Sequence, residues 1–354
     1  MSALDALLRE DLRDFTGYRS ARSERVEGIA WLNANESPWP SPSDPGERLR
    51  RYPTPQPQAL REAAASLYGV APEQVLATRG SDEGIDLLLR ACCMPGASAV
   101  VIAPPVFGMY AVCARLHGAR VLEVPLLDGA EGFRVNMEGV ATAARAGGAR
   151  IVFLCSPGNP TGDIVPLTQI ANLARQLQGQ AVVVVDEAYG EYASGGSAVG
   201  LLGDHGNVVV LRTLSKAHAL AAARIGFVLA APTLVQALQR CQAPYPLPVP
   251  SVDAALAALA PNVLGRTRAR ARRIQRTREG LAAALRALPC VARVYRSEGN
   301  FLLLRFHDAD AALASLANAG VVVRDMRGSP LLGDALRITV GGPRQNAMLL
   351  AALS

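Results

Sequence analysis

The sequence AVVVVDEAY at residues 181–189 decides the fold, because five aliphatic residues run without polar alternation into an acid. Three further runs share this texture: ASAVVIAPP (97–105), ARIVFLCSP (149–157) and NVVVLRTLSK (207–216). Runs that are apolar on both faces are typical of parallel strands covered by helices. Amphipathic segments such as DEGIDLLLRACC lie between them, so the sequence predicts an open α/β sheet.

The texture changes at CQAPYPLPVPS (241–251), which is too rich in proline for a regular helix or a central strand. Two helical stretches follow, and then a strand, a helix and two short strands that together predict a compact α+β unit. We therefore predict an N-terminal arm (1–35) packing on the small domain or on a partner, a large domain (36–243) and a small domain (244–354).

Composition narrows the classes of function. Half of the 354 residues are hydrophobic, so a sizeable core can form. No stretch of about 20 residues is apolar enough to span a membrane. The start, MSALDALLREDLRDF, lacks the apolar region of a signal peptide. The six cysteines and four histidines are dispersed, which favours free thiols, a cytoplasmic protein and no metal site.

The net charge of +6 raises the question of nucleic acid. The densest basic run, GRTRARARRIQRTREG at 265–280, places arginines on every side of a helix without aromatic residues between them. A solvated helix explains this run better than an RNA-binding arm, so we expect no nucleic-acid partner.

The chain contains 36 lysine and arginine residues in total, and Lys216 is the only lysine. An arginine keeps its proton, whereas a lysine amine can lose its proton and form an imine. A single lysine therefore indicates either a position where amine chemistry is needed or an arginine-biased composition that left one lysine by chance.

Ligands of open α/β sheets bind beyond the carboxyl ends of the strands. The strand VLAT (75–78) runs into Arg79-Gly80-Ser81-Asp82-Glu83, which could cradle a phosphate at a helix N-terminus or could be an ordinary helix cap. The acid at Asp186 could pair with the protonated ring nitrogen of an aromatic cofactor or cap a helix.

Further polar groups follow other strand ends. Lys216 and Ser215 end the run NVVVLRTLSK, and Arg224 comes eight residues after Lys216, where it could clamp a phosphate. Asn159 lies in the rigid turn SPGNPTG, and Tyr189 is three residues after Asp186. Together these residues predict a phosphate cradle, a carboxylate and an imine-forming amine along one edge of the sheet.

With these motifs in place, the chain resembles the fold-type-I aminotransferases that depend on pyridoxal 5′-phosphate (PLP), and within them the histidinol-phosphate aminotransferase family. The resemblance covers nearly the whole chain, from GYRSAR (17–22) to LRITVG (336–341). The motifs that carry it are LNANESP (32–38), RYPTPQP (51–57), GSDEGID (80–86), SPGNPTG (156–162), VDEAY (185–189), RTLSKAHALAAARIGF (212–227) and APYPLPVP (243–250).

The resemblance implies a large PLP-binding domain with a mostly parallel sheet in an α/β/α arrangement, and a homodimer. It implies that Lys216 carries the cofactor as an imine and then moves the proton, and that Asp186 holds the pyridine nitrogen protonated. It implies that Tyr110 stacks on the ring and that Tyr52 reaches the neighbouring subunit's phosphate. The remaining implied cofactor contacts are Ser81, Asp82, Glu83, Asn159, Tyr189, Thr213, Ser215 and Arg224, and the implied substrate contacts are Tyr18, Asn35, Arg324 and Arg337.

The implied reaction is transamination between L-histidinol phosphate and 2-oxoglutarate in histidine biosynthesis. An aromatic amino-acid aminotransferase and a threonine-phosphate decarboxylase remain alternatives, because a few side chains decide the substrate. The chain departs from the family pattern at His218, Ala222 and Ala223, where we expect effects on packing more than on chemistry. We interpret His218 as a core or loop histidine.

Overall fold

The computed structural model describes residues 5–18, 21, 29–44 and 46–354. The strands in chain order are β1 (Val75–Thr78), β2 (Ala99–Ile102), β3 (Arg120–Glu123), β4 (Leu127–Gly129), β5 (Gly132–Arg134), β6 (Ala149–Cys155), β7 (Val182–Asp186), β8 (Val208–Thr213), β9 (Gly226–Leu229), β10 (Val291–Val294), β11 (Phe301–Phe306), β12 (Arg324–Asp325) and β13 (Ala335–Thr339).

The helices in chain order are α1 (Gln58–Tyr68), α2 (Ser81–Cys92), α3 (Met109–His117), α4 (Met137–Ala146), α5 (Leu167–Gln176), α6 (Pro232–Cys241), α7 (Val249–Leu259), α8 (Pro261–Arg286), α9 (Ala309–Asn318) and α10 (Pro343–Leu353). Short 3₁₀ helices lie at Asp5–Leu7, Glu10–Leu12, Pro72–Gln74, Gly190–Tyr192, Ala198–Leu201 and Ala221–Ala223.

The central sheet has the order β1-β9-β8-β7-β6-β2-β3. Strands β3, β2, β6, β7 and β8 run parallel to one another, and β9 runs antiparallel to both β8 and β1. The chain leaves β8 at Thr213, turns through residues 214–225 and re-enters the sheet at Gly226, beside the residue where it left. This return keeps the segment that carries Lys216 at the carboxyl edge of the parallel strands.

Both faces of this sheet are covered by helices. Along β7, Val183 and Val185 join the apolar core under α1, α4, α5 and α7, whereas Val182 and Val184 join the core under α2, α3 and α6. Strands between two helical layers have no polar face, and this explains the uniformly aliphatic runs. The predicted α/β/α arrangement with a mostly parallel sheet is confirmed.

The small domain is built on an antiparallel sheet with the order β10-β11-β13-β12. Its apolar core lies between this sheet and α8, α9 and α10, and it contains Leu285, Leu304, Phe306, Leu316 and Leu349. This matches the predicted α+β unit.

The structure places the boundary between the two domains within α8, later in the chain than the predicted 243/244. Leu247, Val252, Ala255 and Leu259 lie beyond the predicted boundary but pack in the core of the large domain. The change from one core to the other falls within α8, where Leu264 packs on the large domain. The proline-rich segment is therefore a crossing over the large domain, because α7 returns apolar side chains to it.

The start of the N-terminal arm differs from the prediction, because it packs on the large domain of its own chain. Leu7 is only 1% exposed and packs in the core under α2 and α6 of the large domain. Nearby, the Arg9 backbone N–H donates to the Ala91 carbonyl over 2.9 Å, and the Arg150 guanidinium donates to the Ala6 carbonyl. The motif at 17–22 lies partly outside the described residues.

A cluster centred on Asp128 of the β4–β5 hairpin joins the two domains. Its carboxylate accepts hydrogen bonds from Tyr295 over 2.7 Å, from Arg305 over 3.0 Å and from Arg293 over 3.2 Å, all three from the small domain. Arg305 also donates to Asp334. These contacts fix the orientation in which the small domain faces the large one.

The basic run at 265–280 lies on α8, and most of its arginines are exposed, as expected for a solvated helix. Arg278 is the exception, because it is buried, donates to the Gly299 carbonyl over 2.9 Å and lies near Glu298. The six cysteines are free thiols. Within the described residues, no helix is long and apolar enough to cross a membrane.

We expect Leu7→Ala to lower the free energy of unfolding by about 2–5 kcal/mol, since it removes a buried side chain from a closed core. Urea denaturation followed by circular dichroism measures this change. Leu32→Ala is the matched control, because Leu32 is 91% exposed and its loss should change stability by less than about 0.5 kcal/mol. Equal effects of the two substitutions would contradict the burial of Leu7.

Candidate active site

A cavity of about 660 Å³ opens at the carboxyl edge of the central sheet and is closed on one side by the small domain. Most of the residues singled out in the sequence line it. They are Ser81, Asp82, Asn159, Asp186, Tyr189, Thr213, Ser215, Lys216, Arg224, Arg324 and Arg337. The strand ends thus meet in one place, as the parallel sheet requires.

The turn before α2 forms an uncapped helix N-terminus. Gly80 is the N-cap residue with φ 78°, and it has no side chain to accept from the first turn. Gly226 lies beside it at the edge of β9, where an added Cβ would come within 2.5 Å of the Ser81 backbone nitrogen. Because both glycines lack a side chain, the N–H groups at the start of α2 stay available to an anion.

Arg224 lies across this turn in a left-handed conformation with φ 55°, which costs a non-glycine residue about 1–3 kcal/mol. Its guanidinium is ion-paired with Asp82 over 3.0 Å and lies within 3.4 Å of the Ser215 hydroxyl. Thr213 donates to the same hydroxyl over 3.0 Å. The guanidinium, the two hydroxyls and the start of α2 form a donor set suited to a phosphate group.

Asp186 ends β7 with its side chain in the cavity wall and is only 2% exposed. One carboxylate oxygen accepts from the Tyr110 hydroxyl over 2.7 Å, and the other accepts from the Ala188 N–H over 3.1 Å. Burial raises the pKa of Asp186 to about 6, and these two hydrogen bonds act in the opposite direction.

Lys216 lines the cavity, with its ammonium nitrogen 5.6 Å from the centre of the Tyr189 ring. Partial burial lowers the pKa of this lysine, and the nearby Arg337 and Arg224 guanidiniums lower it further. Asp82 and Asp186 act in the opposite direction. Near pH 7 the Lys216 amine is therefore neutral in a larger fraction of molecules than the amine of an ordinary lysine. This matters because only the neutral amine is nucleophilic.

The two cationic residues of the small domain lie side by side, because Arg324 of β12 is the register partner of Arg337 of β13. Arg337 donates to the side-chain oxygen of Asn159, so it links the small domain to the SPGNPTG turn, and it lies 5.4 Å from the Phe301 ring. Burial, together with Arg324, lowers the pKa of Arg337. Two adjacent guanidiniums suit a ligand that carries a double negative charge.

Two of the predicted cofactor contacts, Glu83 and Tyr110, lie behind the cavity lining. Glu83 accepts from the Arg79 backbone N–H over 2.7 Å and from Gln242 over 3.2 Å, so it holds the turn before α2 together. Tyr110 is fully buried behind Asp186, with its ring stacked on Phe153 at 4.7 Å. The expectation that Tyr110 stacks on a cofactor ring needs correction, because neither face of its ring reaches the cavity.

Tyr52, Tyr18 and Asn35 also lie outside the cavity lining of their own chain. Tyr52 is 51% exposed and stacks on Tyr245 at 4.4 Å, and Tyr18 is 74% exposed. Asn35 is exposed in a left-handed conformation with φ 54°. The structure therefore does not bring these three residues to the site within one chain.

Several lining residues were not anticipated from the sequence. Phe107 follows β2 and lies edge-on to Tyr110 at 5.6 Å, and Cys155 is the last residue of β6. Their positions just after a strand or at its end are the signal that could have marked both, as the end of β7 marks Asp186. Met326 and Ser329 come from the small domain, and no sequence motif marks them.

His218 lies away from this cavity in a buried charged cluster. Arg212 pairs there with Glu187 and Glu191, each over 2.6 Å, and His218 lies 3.9 Å from Glu191. Burial lowers the pKa of His218, so the imidazole is neutral near pH 7. This placement agrees with its interpretation as a core or loop histidine.

Comparison with known proteins gives the class of the chain. Residues 27–353 match the sequence profile of the family described as aminotransferase class I and II. Because the match extends over nearly the whole chain, the chain belongs to this family.

Individual relatives narrow the resemblance. The chain is 58% identical over 349 residues to a histidinol-phosphate aminotransferase of Stenotrophomonas maltophilia, covering 99% of this chain and 96% of that protein. It is 57% identical to one of Xylella fastidiosa, covering 98% and 95%.

Among solved structures, the chain is similar to a histidinol-phosphate aminotransferase of Sinorhizobium meliloti in complex with pyridoxal-5′-phosphate. The TM-score is 0.78 at 27% identity, covering 90% of this chain and 88% of that one. An L-threonine-O-3-phosphate decarboxylase of Porphyromonas gingivalis, at 22% identity and a TM-score of 0.73, shares the fold.

The sole lysine allows a direct test of its pKa. We expect acetylation of Lys216, followed by mass spectrometry across a pH series in the cofactor-free protein, to show a midpoint below the value of about 10.4 for an ordinary lysine. Arg337→Gln should raise this midpoint, because it removes a nearby positive charge. Arg344→Gln is the control, since Arg344 is exposed on α10. A wild-type midpoint equal to that of a model peptide would contradict the lowered pKa.

Proposed function

We propose that this protein is a PLP-dependent aminotransferase that exchanges an amino group between L-histidinol phosphate and 2-oxoglutarate. The observation that carries the proposal is the meeting of Lys216, Asp186 and the open N-terminus of α2 in one cavity. The identity of 58% to a histidinol-phosphate aminotransferase supports the substrate. A biosynthetic reaction of this kind, together with dispersed free cysteines, supports a cytoplasmic protein.

The residues present fit the cofactor. The start of α2, Ser215 and Arg224 would hold its phosphate, and Asp186 would accept from its ring nitrogen. Asn159 and Tyr189 would contact the ring oxygen. Phe107 replaces Tyr110 as the residue that we assign to the ring face, because Phe107 lies in the cavity wall. When bound, PLP supplies an electron sink that delocalises the charge left by proton removal.

The protein's own task is to place groups and to move one proton. Lys216 carries the amine that binds the cofactor and, when its amine is free and neutral, accepts the proton from the substrate carbon. Its lowered pKa favours that neutral state. Asp186 supplies a negative charge where a ring nitrogen must stay protonated. Burial in the cavity wall strengthens this interaction by excluding water.

Arg324 and Arg337 are the residues that we assign to the anionic end of the substrate. Their adjacent positions on β12 and β13 suit the phosphate of histidinol phosphate, and the same pair can hold a carboxylate of glutamate. The hydrogen bond from Arg337 to Asn159 places this anion site next to the residues assigned to the cofactor ring. The hydrogen-bonded pair of Arg337 and Asn159 thus connects the group assigned to the substrate with the group assigned to the cofactor ring.

We infer that the active protein is a homodimer in which Tyr52 contacts the cofactor phosphate of the neighbouring subunit. Tyr52 is half exposed and stands outside the cavity of its own chain, which supports a role across an interface. We assign Tyr18 and Asn35 to the substrate in the partner's cavity for the same reason.

Absorbance spectroscopy tests the reaction. The purified protein should be yellow, L-histidinol phosphate should bleach it, and 2-oxoglutarate should restore the colour. Lys216→Arg keeps the charge but removes the reactive amine, and we expect it to lower turnover by at least about 100-fold. Bleaching by phenylalanine but not by histidinol phosphate would leave the aminotransferase class intact and overturn the substrate.

Co-expression of two inactive variants tests the shared site. We expect a mixed dimer of Lys216→Ala and Tyr52→Ala subunits to recover activity, because the Tyr52→Ala subunit keeps Lys216 and receives Tyr52 from its partner. Each variant alone is the control. Mixed dimers that stay as inactive as the separate variants would place Tyr52 in the site of its own chain. A Tyr52→Ala variant that is fully active by itself would remove Tyr52 from the site.

A further inference from the structure

We propose that Tyr110 is a positioning residue for Asp186, whose hydroxyl orients the carboxylate and keeps it ionised for the cofactor ring nitrogen. This inference rests on the proposed function, because it concerns the same cavity. It assigns a role to a residue that lies one layer behind the cavity wall.

The geometry leaves the Tyr110 hydroxyl one clear task. Tyr110 is 0% exposed, and its hydroxyl lies 2.7 Å from a carboxylate oxygen of Asp186. The ring is held on two sides, stacked on Phe153 at 4.7 Å with an interplanar angle of 2° and edge-on to Phe107 at 5.6 Å. A ring packed in this way directs its hydroxyl at a fixed point.

The direction of the hydrogen bond follows from the two pKa values. Burial and the neighbouring Asp186 raise the pKa of Tyr110 well above its ordinary value, so the phenol keeps its proton and donates it. The carboxylate accepts. A donated hydrogen bond favours the ionised carboxylate, and it thereby opposes the burial that raises the pKa of Asp186 to about 6.

Other groups also face this carboxylate. Cys155 of β6 and Asp82 of α2 are near it, Glu187 and Tyr189 follow it in the chain, and Lys216 lies across the cavity. Lys216 favours the charged carboxylate, whereas Asp82 and Glu187 disfavour it. Apart from Tyr110, the donor within hydrogen-bonding distance in the described structure is the Ala188 N–H.

The consequence of removing the hydroxyl has a definite sign. Without it the pKa of Asp186 rises further, so more of the carboxyl is neutral at pH 6–7. A neutral carboxyl loses its charge-assisted bond to a protonated ring nitrogen, and the cofactor should bind more weakly. At pH 9 the Asp186 carboxyl is ionised both in the wild type and in a protein without the Tyr110 hydroxyl. The difference in PLP affinity between the two proteins should then narrow to the part that comes from the orientation of the carboxylate.

The test measures the dissociation constant of PLP for the cofactor-free protein between pH 6 and pH 9. We expect Tyr110→Phe, which keeps the stacked ring, to weaken binding about 10-fold or more at pH 6.5 and less at pH 9. Tyr192→Phe is the matched control, because Tyr192 is buried and is not bonded to Asp186, and its effect should stay within about twofold.

A double-mutant cycle separates positioning from packing. In an Asp186→Asn background, the further change Tyr110→Phe should leave the dissociation constant unchanged within about twofold. A loss of PLP affinity that is equal at all pH values and persists in the Asp186→Asn background would mean that Tyr110 acts by packing. That result would overturn the proposal. Unchanged PLP binding by Tyr110→Phe would overturn it as well.

A second measurement does not depend on the folding of the Tyr110 variant. Infrared difference spectra between the wild type and Asp186→Asn report whether Asp186 is protonated in the cofactor-free protein, and we expect an ionised carboxylate at pH 7.5. A protonated Asp186 at that pH would overturn the role of Tyr110. A wild-type protein that binds no PLP would overturn the proposed function itself, so the two failures are distinguishable.

Discussion

The arrangement of the active site depends on one buried carboxylate. Asp186 is held almost entirely out of water at the end of β7, and an ionised group in such a place needs compensation from its surroundings. The Tyr110 hydroxyl and the Ala188 N–H supply part of it from the protein. The remaining charge is directed into the cavity, where it favours a cationic ligand atom. Strand β7 supplies the carboxylate, α3 supplies the Tyr110 hydroxyl that stabilises its charge, and the cavity is where a ligand meets that charge.

The features that could be predicted from sequence are those that the parallel sheet dictates. Aliphatic runs identify β2, β6, β7 and β8, and the rule that ligands bind at the carboxyl ends of parallel strands predicts that Asp186, Asn159 and Lys216 lie together. The sole lysine was informative because arginine cannot replace its amine chemistry. Each of these signals lies in a short stretch of sequence, and the parallel sheet brings the stretches to one edge.

The features that could not be predicted depend on packing. In the stretch PVFGMY both Phe107 and Tyr110 are aromatic, and only the packing of the turn that leads into α3 decides which ring faces the cavity and which lies behind Asp186. The domain boundary was misplaced because the prolines mark a crossing, whereas α7 packs back on the large domain. Met326 and Ser329 reach the cavity through the orientation of the small domain, which no single segment encodes.

Helix α8 belongs to both cores, since Leu264 packs on the large domain and Leu285 in the small one. Its 26 residues form a continuous rod about 39 Å long. A rod of that length works as a lever arm, and a tilt of about 5° at one end displaces the other by about 3 Å. Leu285 shares the small-domain core with Leu336 and Ile338, which flank Arg337 on β13, so the seating of α8 on the large domain bears on where Arg337 stands at the cavity.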